Sequence, residues 1–115
     1  EGGGTSGMKP PRHLGVNCSI RGGWWPEGCE GRNGFEIVGH PVRRGAAARD
    51  AADATALYEV LEDSLIPEFF DRSRAGVPSR WVKRALRSAA TIPGPFSTHR
   101  MVADYVTTAY LPANR

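Results

Sequence analysis

The chain has 115 residues, a formal net charge of +3 and 40% hydrophobic residues, enough for about one domain with a modest core. Lys and Arg are not gathered into a dense block, so nothing in the charge pattern points to nucleic acid. The absence of any apolar run of eighteen residues excludes a membrane-spanning helix.

The first nine residues, Glu1-Gly2-Gly3-Gly4-Thr5-Ser6-Gly7-Met8-Lys9, carry the most chemistry. Three consecutive glycines let backbone N–H groups approach a ligand without Cβ interference. Thr5 is a good N-cap for a following helix, and a helix start beside a glycine turn suits an anion. Lys9, one turn in, can pair with an anion or form a Schiff base. A carboxylate, a glycine cradle and a lysine so close together suggest a site for a phosphate-bearing or sugar-like ligand. The chain opens inside this site with no leading Met, which implies a fragment.

Two short strands are expected next. Val16, Cys18 and Ile20 alternate within Gly15–Ile20. Phe35-Glu36-Ile37-Val38 follows Asn33-Gly34, a strong turn dipeptide. Between them, Gly22-Gly23-Trp24-Trp25-Pro26-Glu27-Gly28 reads as a loop that packs one Trp ring into the core. Two strands are not a stable sheet by themselves, which again implies a piece of a larger α/β domain.

From Arg44 the pattern turns helical. Ala54, Leu57, Tyr58, Leu61 and Leu65 recur at three and four, so residues 46–65 read as a long amphipathic helix, with Pro67 ending or kinking it. A second helix begins after Gly76 with Pro78 near its first turn. Its expected apolar face is Trp81, Val82, Ala85, Leu86 and Ala89; Arg80, Lys83, Arg84 and Arg87 form a solvated basic face. Ser97 reads as the N-cap of a third helix bearing Met101, Val102, Tyr105, Val106 and Ala109, closed by Pro112. Cys18 and Cys29 lack CxxC spacing and read as free thiols in a reducing compartment. His13, His40 and His99 share no spacing or carboxylate partner, so no metal site is expected.

Glu1, Gly4, Thr5, Met8 and Lys9 match the E-x-x-G-T-x-x-M-K motif of the α-glucan phosphorylases, and the chain resembles that family, in its bacterial branch, over nearly its whole length. Asn17-x-Ser19 with Gly23-Trp24-Trp25 resembles the branch's N-L-S-x-x-D-G-W-W segment. Gly31-Arg32-Asn33-Gly34-Phe35 resembles its G-x-N-G-W/F turn. Tyr58-Glu59-x-Leu61-Glu62 and Pro67-x-Phe69-x-Asp71-Arg72 fit its long helix, and the segment from Phe96 to Tyr105 its terminal helix.

The resemblance implies an α/β fold: the C-terminal end of a Rossmann-like lobe of a two-lobed glycosyltransferase, here two short strands followed by about three helices. Residues 1–40 would hold the cofactor loop and strands, and 41–115 a helical tail. It implies that Lys9 holds pyridoxal 5'-phosphate as a Schiff base. Thr5 and Gly4 would contact the cofactor, while Glu1, Gly2, Gly3 and Gly4 would bind the reacting glucose and phosphate. The implied reaction is phosphorolysis of α-1,4-glucans by inorganic phosphate to glucose 1-phosphate. The remaining N-terminal part of the chain would be a necessary partner, the isolated piece would be inactive, and the location would be cytoplasmic. Neither nucleic acid nor membrane is an expected partner, and homo-oligomerisation stays open. The rivals are a nucleotide-sugar glycosyltransferase of the same two-lobed fold and a non-catalytic remnant.

One position and one stretch depart from the family. Gly22 stands where the branch has Asp. Pro10-Pro11-Arg12-His13-Leu14 replaces the small helix formers behind the lysine. In a helix interior each Pro costs about 3 kcal/mol, and Pro10 disfavours the α region at Lys9. The expectation is a helix broken behind Lys9 and a misaimed amine, which Ala-Ala at these positions would restore.

Overall fold

A computed structural model describes residues 4–39, 41 and 45–114. Two parallel strands, β1 (Asn17–Ile20) and β2 (Gly34–Ile37), pair in the register Asn17↔Gly34 to Ile20↔Ile37. Both match the expected strand segments, β2 starting one residue early. A parallel pair requires a crossover rather than a hairpin, so Asn33-Gly34 leads into β2 without joining adjacent antiparallel strands. The crossover contains one short helix, α1 (Trp25–Gly28). The Gly22–Gly28 segment is therefore not wholly a loop. Pro26 fits because the first turn of a helix needs no N–H from it.

The start of the chain departs most from expectation. Instead of one helix broken by prolines, there are two separate 3₁₀ turns, Thr5–Met8 and Pro10–His13. Pro10 and Pro11 open the second turn, where a missing N–H loses no partner. Lys9 keeps α-region angles, φ −81° and ψ −46°, despite the following proline. Leu14 ends the turn in the left-handed region at φ 61°, and Gly15 N–H donates to Pro10 O at 2.8 Å. Pro11 is fully buried. The prolines thus pack and turn the chain instead of breaking a helix.

After a left-handed glycine, Gly45, helix α2 (Ala46–Val60) continues through a π-helical turn (Leu61–Leu65) into α3 (Ile66–Phe70). Pro67 does not end this rod. The wider turn, in which Ile66 N–H reaches Leu61 O, lies just before it. It accommodates a ring that would clash with the preceding carbonyls of a regular helix. The same arrangement recurs at the other end of the chain. There α5 (Thr98–Tyr105) passes through a second π-helical turn (Val106–Tyr110) into α6 (Leu111–Ala113), and Pro112 lies inside the helical run instead of closing it. Ser97 is the N-cap of α5 as expected, its Oγ accepting from Arg100 N–H at 3.2 Å.

Helix α4 (Ser79–Thr91) turns only part of its expected apolar face inward, Trp81 and Ala89 being half-buried. Ala85 and Ser88 are buried, whereas Val82 and Leu86 are exposed. Ser88 Oγ donates to Gly15 O at 2.9 Å, and Arg84 points at β2. Along α2, Ala56 is the buried residue, while Leu57 and Tyr58 face out.

The core is small: Trp25, Phe35, Ile37, Ala56, Ala85 and Ile92. Trp81 bridges it outward, stacked on Phe35 at 6.2 Å and edge-on to Phe69 at 5.0 Å. Among the described residues the apolar side of α5 packs on no core, with Met101, Val102 and Tyr105 about half exposed. The radius of gyration is 17.8 Å, against about 13 Å for a compact chain of 100 residues. The described residues are an α/β arrangement whose helices extend well beyond their own core.

Candidate functional site

Of the described chemistry-bearing residues, Gly4 stands just before the first 3₁₀ turn, Thr5 lies within it and Lys9 follows it. Gly4 precedes the turn at φ −59°, ψ 97°, so Thr5 is its first residue and not its cap. The Thr5 hydroxyl makes no capping bond, because the residue that must stand outside the turn to cap it is Gly4. Ser6 O accepts from Lys9 N–H at 3.3 Å. Lys9 is exposed. Among the described residues its ammonium has no ion pair or hydrogen bond. Glu1, Gly2 and Gly3, expected to bind sugar and phosphate, lie outside the described residues, as does His40.

These residues border two different concavities. Gly4, Ser6 and Gly7 face β1, making a hollow with Asn17, Cys18, Ser19, Ile20 and Gly22. Thr5 and Met8 face the other way, onto a groove shared with Phe96, Ser97, Arg100, Met101 and Tyr105. Lys9 lines neither. The structure therefore brings Gly4 beside β1 but sets Thr5 on the opposite side of the turn.

Asn17 and Ser19 are polar groups of the first hollow that the sequence reading did not single out as site residues. The would-be Cβ of Gly7 lies 3.0 Å from Asn17 Oδ1, so glycine there lets the turn approach the strand. Burial pushes the Cys18 thiol up from its ordinary value. It stays protonated near neutrality and is a poor nucleophile.

Behind the site, one buried amide ties the crossover to α4. Asn33 is fully buried. Its Nδ2 donates to Gly28 O at 2.7 Å and Thr91 Oγ1 at 2.9 Å, and its Oδ1 accepts from Glu30 N–H at 2.9 Å. The basic side of α4 is less solvated than expected. Arg87 pairs with Glu30 at 2.8 Å, and Arg84 is engaged with Glu68. Among the described residues, no three of His, Cys, Asp and Glu come together as metal ligands, and no helix is long and apolar enough to cross a membrane.

Similarity to known proteins covers nearly the whole chain. It is 43% identical over 113 residues to a glycogen phosphorylase of Mycobacterium tuberculosis (strain CDC 1551 / Oshkosh), covering 96% of this chain. The chain is a relative of the α-glucan phosphorylases. It is 36% identical over 107 residues to a glycogen phosphorylase of Aquifex aeolicus (strain VF5), covering 93% of this chain. To a maltodextrin phosphorylase of Thermococcus litoralis it is 36% identical over 113 residues, covering 98% of this chain. The chain spans 13% of the length of the mycobacterial and Thermococcus proteins and 15% of the Aquifex one. No protein-family model matches it, and no solved structure matches it significantly.

The resemblance set out above implies pyridoxal phosphate at the Gly4–Lys9 segment. The residues present fit such a group in chemical type. Lys9 offers an exposed amine unpaired among the described residues. The first N–H groups of a 3₁₀ turn have no partner within it. Gly4 adds no side chain, and its would-be Cβ would meet only Ser6 Oγ, at 3.5 Å.

Proposed function

We propose that the protein carrying this chain is an α-glucan phosphorylase, cleaving terminal α-1,4 bonds with inorganic phosphate to release glucose 1-phosphate. The observation that carries this reading is the 43% identity to a glycogen phosphorylase across 113 residues of this chain. In this reading Lys9 holds pyridoxal 5'-phosphate. When bound, that group supplies a phosphate beside inorganic phosphate for proton transfer at the glycosidic oxygen. The backbone N–H groups of Gly4 and Thr5, at the start of the turn, would donate to anionic oxygens of that group. Glu1, Gly2 and Gly3 bind hydroxyls of the terminal glucose, a carboxylate being a good acceptor for them. Ser6, Asn17 and Ser19 form a polar wall beside Gly4, in the hollow against β1 that neither Thr5 nor Lys9 lines. The share of these residues is placement and charge stabilisation.

We read the chain as the C-terminal part of a Rossmann-like lobe in a two-lobed enzyme. The parallel pairing of β1 and β2 supports this, because parallel sheets are built with further strands and helical cover. The remainder of the enzyme then supplies the rest of the phosphate and glucan site. Free thiols at Cys18 and Cys29 suit a cytoplasmic enzyme.

The test is borohydride reduction of the full-length protein followed by peptide mass analysis, alongside assay of glucose 1-phosphate release from maltodextrin. A pyridoxyl adduct on Lys9 with phosphate-dependent release supports the reading. A folded protein with no adduct that transfers sugar from a nucleotide donor overturns it. So does one that binds glucan and releases nothing.

A further inference from the structure

We propose that the indole of Trp24 is the positioning element of the Gly4–Lys9 segment. The proposal rests on the phosphorylase reading for its catalytic consequence, but not for its structural one. Trp24 Nε1 donates to Gly4 O at 3.1 Å, linking residues twenty apart in sequence. The same ring lies under Gly7, whose would-be Cβ would stand 3.1 Å from Trp24 Cζ2. One indole thus touches the segment at both ends of its glycine pair, once by a hydrogen bond and once by close approach.

The ring is itself held from the far side. A Cβ on Gly28 would fall 2.5 Å from Trp24 Cζ3, so glycine is required there for the ring to sit as it does. Trp25 meets it edge-on at 5.2 Å and Phe96 at 4.9 Å. Phe96 also lines the groove on the Thr5 and Met8 side. Trp24 is therefore a peg between the crossover, the approach to α5 and the segment bearing Lys9.

The adjacent tryptophans divide the work. Trp25 is fully buried and fills the core. Trp24 is only part-buried, so its N–H could donate to water at little cost, yet it is directed to Gly4 O. Gly4 is the residue from which the 3₁₀ turn departs. Fixing its carbonyl fixes the direction in which the turn carries Lys9. Trp24 acts through this backbone and does not touch the Lys9 ammonium.

The test uses the full-length protein with 3-benzothienylalanine in place of Trp24, which keeps the ring shape and replaces the N–H by sulfur, and with Trp24→Phe. Amide hydrogen exchange on the sub-second timescale reads the segment directly. Losing one hydrogen bond should speed exchange across residues 4–9 by roughly two- to tenfold, leaving α2 and α4 unchanged. Pyridoxal phosphate should dissociate faster, and kcat should fall with KM for glucan unaltered. Unchanged exchange in residues 4–9, or a uniform rise across the chain, overturns the proposal and leaves Trp24 a packing residue. If the unsubstituted protein holds no pyridoxal phosphate, the phosphorylase reading fails, while the exchange result still decides whether Trp24 positions the segment.

Discussion

Arg84 and Glu68 meet in a bidentate pair: Nε donates to Oε1 at 2.7 Å and Nη2 to Oε2 at 2.8 Å. The remaining nitrogen, Nη1, donates to Gly31 O at 2.9 Å and Gly34 O at 2.8 Å. The guanidinium carbon lies 4.1 Å from the centroid of the Phe35 ring. One side chain of α4 thereby joins α3 to the entrance of β2. The Arg84 and Glu68 side chains are only 16% and 6% exposed, so breaking the pair strands a charge.

Arg84→Ala should destabilise the fold by about 3–5 kcal/mol, the range for removing one partner of a buried pair. Arg84→Lys should recover little, because an ammonium cannot reproduce the planar fork. Urea denaturation of the two variants against the parent chain measures both, and an Arg84→Ala midpoint equal to the parent's would contradict the role.

Acid stability should depend on the same carboxylate. The hydrogen bond from Arg84, with added attraction from Arg84 and Arg80, holds the Glu68 carboxyl below the usual carboxylate range despite burial. The unfolded chain therefore binds more protons than the folded one as pH falls. The stabilisation is fully present above the unfolded Glu value of about 4.3 and is lost as pH drops through the lower folded value. Glu68→Gln should flatten the acid side of a stability-against-pH curve measured by denaturant melts. An unaltered acid slope would show that other groups govern it.

Gly34→Ala should be costly although Gly34 lies in a strand. A Cβ there would stand 2.3 Å from Trp25 Cη2 and 2.7 Å from Asn17 O. Overpacking of this kind costs about 1–3 kcal/mol or more, and the β1–β2 register is the part that must yield. The measurement is a thermal melt beside Gly94→Ala, whose Cβ would meet nothing within 4 Å and which should be close to neutral. Equal melts for the two variants would refute the packing explanation.

Replacing Pro10-Pro11 with Ala-Ala should weaken the protein rather than repair it. Pro11 is buried, and both prolines stand where their rings fit the turn. Loss of the rings also gives the unfolded chain more freedom, worth about 0.4–1 kcal/mol per site. Denaturation midpoints of the single and double variants check this. A more stable double variant would restore the idea of a disrupted helix behind Lys9.

The sequence alone made legible whatever depends on local chemistry or on pattern over several segments. The strand pair, the long helix from Ala46, the Ser97 cap and the burial of one of two adjacent tryptophans follow from alternation, periodicity and side-chain type. The ordered motifs from Glu1 to Tyr105 made the phosphorylase relationship legible as well. Periodicity did not reveal which way α4 faces. Val82 and Leu86 look like core residues, yet Arg84 and Ser88 turn inward because each finds partners on distant backbone: Gly31 and Gly34 for one, Gly15 for the other. Nor could local rules place the prolines. Pro67 and Pro112 follow π-helical turns that absorb the clash, and Pro10 opens a new turn instead of interrupting an old one. Composition and motif determined the kind of chemistry the Gly4–Lys9 segment can offer. Only tertiary structure decided how that segment is held, because the Trp24 N–H and the Gly4 carbonyl are brought together by the folded crossover and not by their spacing in the chain.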